Sequence, residues 1–356
     1  MEFPCFCKRN VEKMPVLILP FLFFIKFALS TIKREMYLFT FSPIMKPTIW
    51  GGNEILRYKQ MPADGRRIGE SWELSAIPGS ESVVDQGPYA GYTLPALTEA
   101  LKSDLLGKEN YIRYGGRFPL LIKFIDACDD LSVQVHPGDA LAEARHHCSG
   151  KSEMWYVVKA APEARLYSGF SYSLTPEEYE RRVEECTLPE ALQCYHVHEG
   201  DVFYQPAGRV HSIGAGCFIC EIQQSSDITY RIYDFGRKDQ NGNMRQLHLA
   251  EASEAIDYSA QTDAFTPKVR INEPIELLNT VYFSTSLYDL DEPMVCDYSE
   301  LDSFVILICL NGSCKICADR EEVTLNEGHT ILVAAACPGL VIEPLGGEVK
   351  LIECFV

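Results

Sequence analysis

What most restricts the fold of this chain is a short apolar run that recurs along its length, each time closed by Gly, Pro, Asn or a charged residue. The runs are "LLIKFIDAC", "LSVQVHP", "EMWYVVKA", "DVFYQPAG", "CFICEIQQ", "FVILICLNG", "TILVAAAC" and "VKLIECFV". They are too short for buried helices and match the strands of a barrel or sandwich. Helical signals are fewer. "LPALTEALKSDLLG" predicts a helix opening after Pro95 and ending at Gly107, and "GDALAEARHHC" a short one. "LTPEEYERRVEEC" offers Thr175 as N-cap, Pro176 in the first turn and Glu178 three residues on. The expectation is an all-β fold with minor helices decorating it.

At 356 residues the chain has room for two or three domains. Its net charge of −18 argues against nucleic acid and anionic membranes as partners, since both require a basic face. An anionic substrate must therefore meet a local basic pocket. The 14 cysteines fall singly in apolar runs, which is no disulfide framework and fits a reducing, cytoplasmic setting. Two Cys-x-x-Cys pairs, Cys217/Cys220 and Cys314/Cys317, lie inside strand patterns, where i and i+3 point to opposite faces, so they read as core rather than zinc ligands. Residues 1–35 differ from the rest: after Lys8, Arg9 and Lys13 comes "MPVLILPFLFFIKFALS", interrupted by Lys26. This segment reads either as a secretory signal or as an early start, with the chain proper beginning at Met36; the cysteine-rich body favours the second.

In "LSVQVHPGD", Gln134 and His136 share one strand face while Val133 and Val135 take the other. A carboxylate, Glu153, opens the next strand. The stretch "EGDVFYQPAGRVHSIGAG" places Gly200, Pro206, Gly208 and His211 in a strand, corner, strand pattern that resembles the second conserved motif of cupin barrels, with His211 pointing inward. Gln134, His136, Glu153 and His211 thus offer two imidazoles, a carboxylate and an amide oxygen. That set suits zinc, with manganese, iron or nickel also compatible, one ion per chain. "EGHTILVAAACPGLVI" (residues 327–342) aligns with the same motif but lays Gly339 over His211, so residues 265–356 are expected to form a second, metal-free barrel after a catalytic barrel at 36–264.

"PTIWGG", "LSVQVHPGD", "GKSEMWYVV", "PAGRVHSIGAG" and "EIQQSSDITYRIYDFGR" together resemble the type I mannose-6-phosphate isomerase family in its shorter bacterial form, over about Phe41 to the C-terminus. The resemblance implies two cupin (jelly-roll-like) barrels and a zinc enzyme that interconverts mannose 6-phosphate and fructose 6-phosphate. It also implies metal ligation by Gln134, His136, Glu153 and His211, and a catalytic Arg231. Gly138 stands where the family usually carries an acid, and Ser152 where it usually carries Thr. For the proton transfer the residues offer Lys151, next to the ligand strand, either as a base or as a phosphate contact. Lys123, Arg209 and Arg237 are further candidates for the phosphate, whereas His146 and His147 read as surface residues. The partner expected is a small sugar phosphate. Another cupin enzyme, an oxygenase or epimerase, would leave Arg231 without a purpose, and a silent sugar sensor would not need the full ligand set.

Overall fold

The apolar runs become strands because each carries two faces that are buried differently. In a computed structural model, which describes residues 37–356 apart from 63–64, 239–241 and 262–263, Leu120–Ala127, Glu153–Ala160 and Cys217–Gln224 are hydrogen-bonded neighbours. Leu120, Ile122, Phe124, Met154, Tyr156, Val158, Phe218, Cys220 and Ile222 pack on one side of this sheet. Ile125, Trp155, Val157, Cys217 and Ile219 pack on the other. Burial on both faces explains why these runs read as continuously apolar rather than alternating. The N-terminal segment of residues 1–35 lies outside the described residues.

The full antiparallel sheet runs Ala264–Phe265, Val202–Gln205, Glu153–Ala160, Cys217–Gln224, Leu120–Ala127, Ile68–Leu74, Ile44–Gly52. A second sheet, Tyr230–Tyr233, Val133–Val135, His211–Ile213, Arg165–Phe170, Leu192–His196, faces it across the core that holds Ile125, Trp155, Leu166 and Ile213. Together they make the first barrel. The C-terminal barrel repeats the arrangement with a seven-stranded and a four-stranded sheet. Its interior is filled by Val305, Leu307, Ile316, Ile331, Val333, Leu340 and Leu351. The expected all-β architecture with a few decorating helices is what the chain adopts.

Three local features refine the sequence reading. The segment expected as one helix from Pro95 to Gly107 is two, Leu94–Leu101 and Ser103–Leu106, because Lys102 between them takes a left-handed φ of 54°. Thr175 caps the helix Pro176–Glu184 as its spacing predicts, accepting a hydrogen bond from the Glu178 N–H at 3.1 Å. Cys217 and Cys220 fall in different cores, on opposite faces of their strand, and no described cysteine is in a disulfide. No helix among the described residues is long and apolar enough to cross a membrane.

The strand Leu38–Ser42 pairs with Thr330–Val333, Leu38 opposite Val333 and Thr40 opposite Ile331. The proposed division at residues 264 and 265 is therefore crossed by two strands, Leu38–Ser42 and its neighbour Val83–Val84, which sit in the C-terminal sheet. A buried ion pair closes the same junction: Lys59 Nζ lies 2.8 Å from Glu73 Oε2, both side chains almost wholly buried, and also donates to the Gly328 carbonyl of the C-terminal barrel. Lys59→Met is expected to cost about 3–5 kcal/mol, because the Glu73 charge is left buried without its partner. Adding Glu73→Leu should recover most of the loss, and chemical denaturation of the two variants checks both outcomes.

Candidate active site

The corner at Pro206–Gly208 turns the chain so that His211 opens its strand pointing into the first barrel. Gly208 sits at φ +92°, a conformation favouring glycine, and its N–H donates to the His136 carbonyl at 2.9 Å, tying the corner to the ligand strand. His211 lies opposite Gln134 in register, and Val133 and Val135 pack away on the outer face. His136, Glu153 and His211, all buried, bring ligand atoms within 4.8 Å of one another. Among the described residues this is the only such group.

Each imidazole is fixed from behind. Nδ1 of His136 is 2.8 Å from the Ile228 carbonyl and Nδ1 of His211 is 2.8 Å from the Arg209 carbonyl, so both Nδ1 atoms carry the proton and both Nε2 lone pairs face the cluster. Burial, with the Lys151 charge next, lowers both histidines, His211 to about 3, which keeps them neutral as metal ligation requires. Burial, and then Glu221, pushes the Glu153 carboxyl up. Its Oε1 is buried with no hydrogen-bond partner while lying 3.4 Å from His211 Nε2. An orphaned carboxylate oxygen beside one imidazole lone pair, with the second imidazole 3.5 Å from the other oxygen, is a donor set that fits a cation. Gln134 completes the set: its amide Nε2 lies 3.3 Å from His211 Nε2, and a half-turn of the amide presents Oε1 at the same point. Lys151 Nζ reaches the same atoms, 3.0 Å from His136 Nε2 and 2.7 Å from Glu153 Oε2.

Beside this cluster, in contact with it through Gln134 and Lys151, lies a cavity of about 530 Å3 lined among others by Trp50, Glu70, Lys123, Glu221, Asp227, Arg231, Arg245 and His248. Gly51 and Gly69 let its wall form, since a Cβ on Gly51 would lie 2.4 Å from the Gly69 nitrogen. Lys123 Nζ lies 3.3 Å from Glu221 and 3.6 Å from Glu70. Burial works against its charge, but these two carboxylates outweigh it and raise Lys123. Burial likewise works against an ionised Glu221, yet Lys123 and Lys151 prevail and hold its carboxyl below the ordinary value. Glu221 is thus a buried, ionised carboxylate in the cavity wall. At the other end, Arg231 donates from Nε to Ser132 Oγ at 3.3 Å and from a terminal nitrogen to the Gln246 carbonyl at 3.1 Å. Arg245 is oriented by Asp234, with Nε 2.7 Å from Oδ2.

Gln134, Lys151 and Arg231 thus line one cavity, and Gln134 and Lys151 join it to the buried His136, Glu153 and His211 behind its wall. Of the basic residues considered for the phosphate, Lys123 and Lys151 line the cavity. Arg209 is turned to Gln261 and the Tyr204 carbonyl, and Arg237 to Asp234 and the Asp130 carbonyl. His146 is exposed, with Nε2 2.8 Å from the Tyr230 hydroxyl. In the polar run Gln223–Asp227, Gln223 donates to the Ser226 carbonyl and Gln224 to Asp139, while Asp227 is exposed at the cavity. Sequence reasoning missed Glu221, Arg245 and Glu70.

Residues 38–160 match the family profile described as "Phosphomannose isomerase type I, catalytic domain". Over 327 residues the chain is 34% identical to mannose-6-phosphate isomerase ManA of Bacillus subtilis, covering 89% of this chain and 97% of that one. It is 33% identical to the mannose-6-phosphate isomerase of Streptococcus mutans, over 81% of this chain and 90% of the relative. The solved structure of the mannose 6-phosphate isomerase from Bacillus subtilis superposes with a TM-score of 0.79 at 28% identity, covering 90% of this chain and all of that one. With the cupin barrel, the buried His–Glu–His cluster and these likenesses together, the chain belongs to the type I phosphomannose isomerases, a family of aldose–ketose isomerase enzymes.

Proposed function

We propose that this enzyme interconverts mannose 6-phosphate and fructose 6-phosphate, with zinc held by Gln134, His136, Glu153 and His211. The observation that carries the reading is a cavity lined by an arginine pair, Arg231 and Arg245, able to take a dianionic phosphate and a developing enediolate, and by Gln134 and Lys151, which contact a buried ligand set with a free carboxylate oxygen. When bound, the metal ion supplies a Lewis acid that polarises the substrate carbonyl.

The chain's own residues supply the remainder. Glu221 is the base: it lines the cavity, and its Oε1 makes no hydrogen bond and has only the Lys123 charge 3.3 Å away. It takes the C2 proton of the open-chain aldose. The C–H pair becomes the C1–C2 double bond, and the carbonyl pair becomes negative charge on O1. The proton then returns to C1, while the O2 hydroxyl gives up its proton and O1 gains one, leaving the C2 ketone. Arg231, on the strand beside Gln134, faces the enediolate oxygens, and Lys151 exchanges protons with them. Arg245, steadied by Asp234, balances the phosphate.

The test is metal analysis of the purified protein with a coupled assay for fructose 6-phosphate formation. Glu221→Gln is expected to keep zinc and fold and to lose about 10²–10⁴ in kcat, the usual weight of a positioned base. Full turnover in this variant removes Glu221 from the mechanism, and protein without zinc or isomerase activity refutes the whole reading.

A further inference from the structure

Four adjacent strands of the seven-stranded sheet place Trp72, Lys123, Glu221 and Trp155 in one transverse row. Trp72 is opposite Lys123, Lys123 opposite Glu221, and Glu221 opposite Trp155. Charged residues in such a row compete for one another. Lys123 has Glu70 on one side and Glu221 on the other, at 3.6 and 3.3 Å. Each carboxylate is also held from its far side by an indole: Trp72 Nε1 donates to Glu70 Oε2 at 2.6 Å, and Trp155 Nε1 donates to Glu221 Oε2 at 2.8 Å. Glu221 Oε1, by contrast, has no hydrogen bond and only the charge contact with Lys123.

Trp155 does a second thing. It is fully buried, and its ring meets the His211 imidazole edge to face, centroids 5.2 Å apart at 83°. It does not line the cavity, yet it touches a proposed metal ligand and the proposed base at once. We infer that Trp155 is a positioning residue: its N–H fixes one oxygen of Glu221 so that the other stays available to the substrate, and its ring braces His211, so that base and metal ligand keep one spacing. This rests on the isomerase reading of Glu221 given above. A Trp that only filled the core would need its ring and not its N–H. Without the N–H, nothing opposes rotation of the Glu221 carboxylate onto Lys123, where both oxygens would be engaged by the ammonium.

The experiment separates ring from N–H in the zinc-loaded full chain. Position 155 is changed to Phe and, in a second variant, to 3-benzothienylalanine, which keeps the shape of indole and lacks its N–H. Both are made in the wild type and in Glu221→Gln. The expected result is unchanged zinc content, KM within about twofold and kcat lower by about tenfold or more in the wild-type background, since a lost positioning contact shows in kcat rather than in binding. In the Glu221→Gln background the same change should cost less than about twofold, because the two residues act as a unit. If Phe prevents folding, the isosteric variant alone decides. Equal losses in both backgrounds, or a kcat within twofold of the wild type with Glu221→Gln impaired as expected, overturn the inference. A fully active Glu221→Gln instead removes the reading on which it rests.

Discussion

Replacing His211 by alanine is expected to leave a folded chain that holds no zinc and has lost about 10³-fold or more of its turnover, because several kcal/mol of transition-state charge stabilisation go with the ion. His211 and His136 are the only imidazoles whose Nε2 lone pairs face the cluster, and both are kept neutral by burial. With one gone, a carboxylate, an amide and a single imidazole remain, a set that holds a borderline cation weakly. Two measurements check the outcome: metal content after chelator challenge, and the thermal midpoint with and without added zinc. Zinc should raise the midpoint of the wild type and leave that of His211→Ala unmoved, since only an ion that binds the native state stabilises it. Stoichiometric zinc retained by the variant would remove His211 from the ligand set.

Arg231→Ala is the second large effect, and it separates catalysis from phosphate binding. If the guanidinium meets negative charge that exists only in the transition state, its removal should lower kcat by about 10²–10³ with zinc and fold intact, as for other preorganised donors. Arg231→Lys should recover part of this, because a single ammonium does not reproduce a planar fork. Arg245→Ala should behave differently and raise KM, as the phosphate contact proposed for it implies. A large rise in KM for Arg231→Ala, with activity on a non-phosphorylated sugar spared, would exchange the two roles. Burial and the neighbouring Arg245 lower the Arg231 guanidinium from its ordinary value, but an arginine starts so high that it stays charged at any working pH.

Whether a residue was legible in the sequence depended on whether its neighbours along the chain reveal its direction. Gln134, His136 and His211 were legible because a two-residue period and a Pro–Gly corner fix which way a strand residue points, and the structure keeps that direction. Glu221 was not. It sits in "CFICEIQQ", a run buried on both faces, where alternation carries no polar signal and a lone acid looks like an exception. Its role arises from Lys123 and Trp155 on other strands, which no spacing along the chain reports. Arg245 lies in a loop, where no periodicity exists to say which way the side chain turns. The break at Lys102 was hidden for a related reason: "LPALTEALKSDLLG" has helix-forming residues on both sides of the break, and the change of direction there is a tertiary demand.

The strand Leu38–Ser42 has a consequence for how this enzyme is made. Its pairing with Thr330–Val333 joins segments far apart along the chain. Phe41 and Ser42 can pair with Val84 and Val83 as that segment emerges, but residues 38–40 must wait for Thr330–Val333 before their ladder is complete. Until then they are an open edge carrying Leu38 and Phe39, the kind of edge that templates pairing between nascent chains. The pairing is also a contact of very long sequence separation, which places it late in folding. Crowded synthesis should therefore penalise this protein through this strand, before any of its chemistry exists.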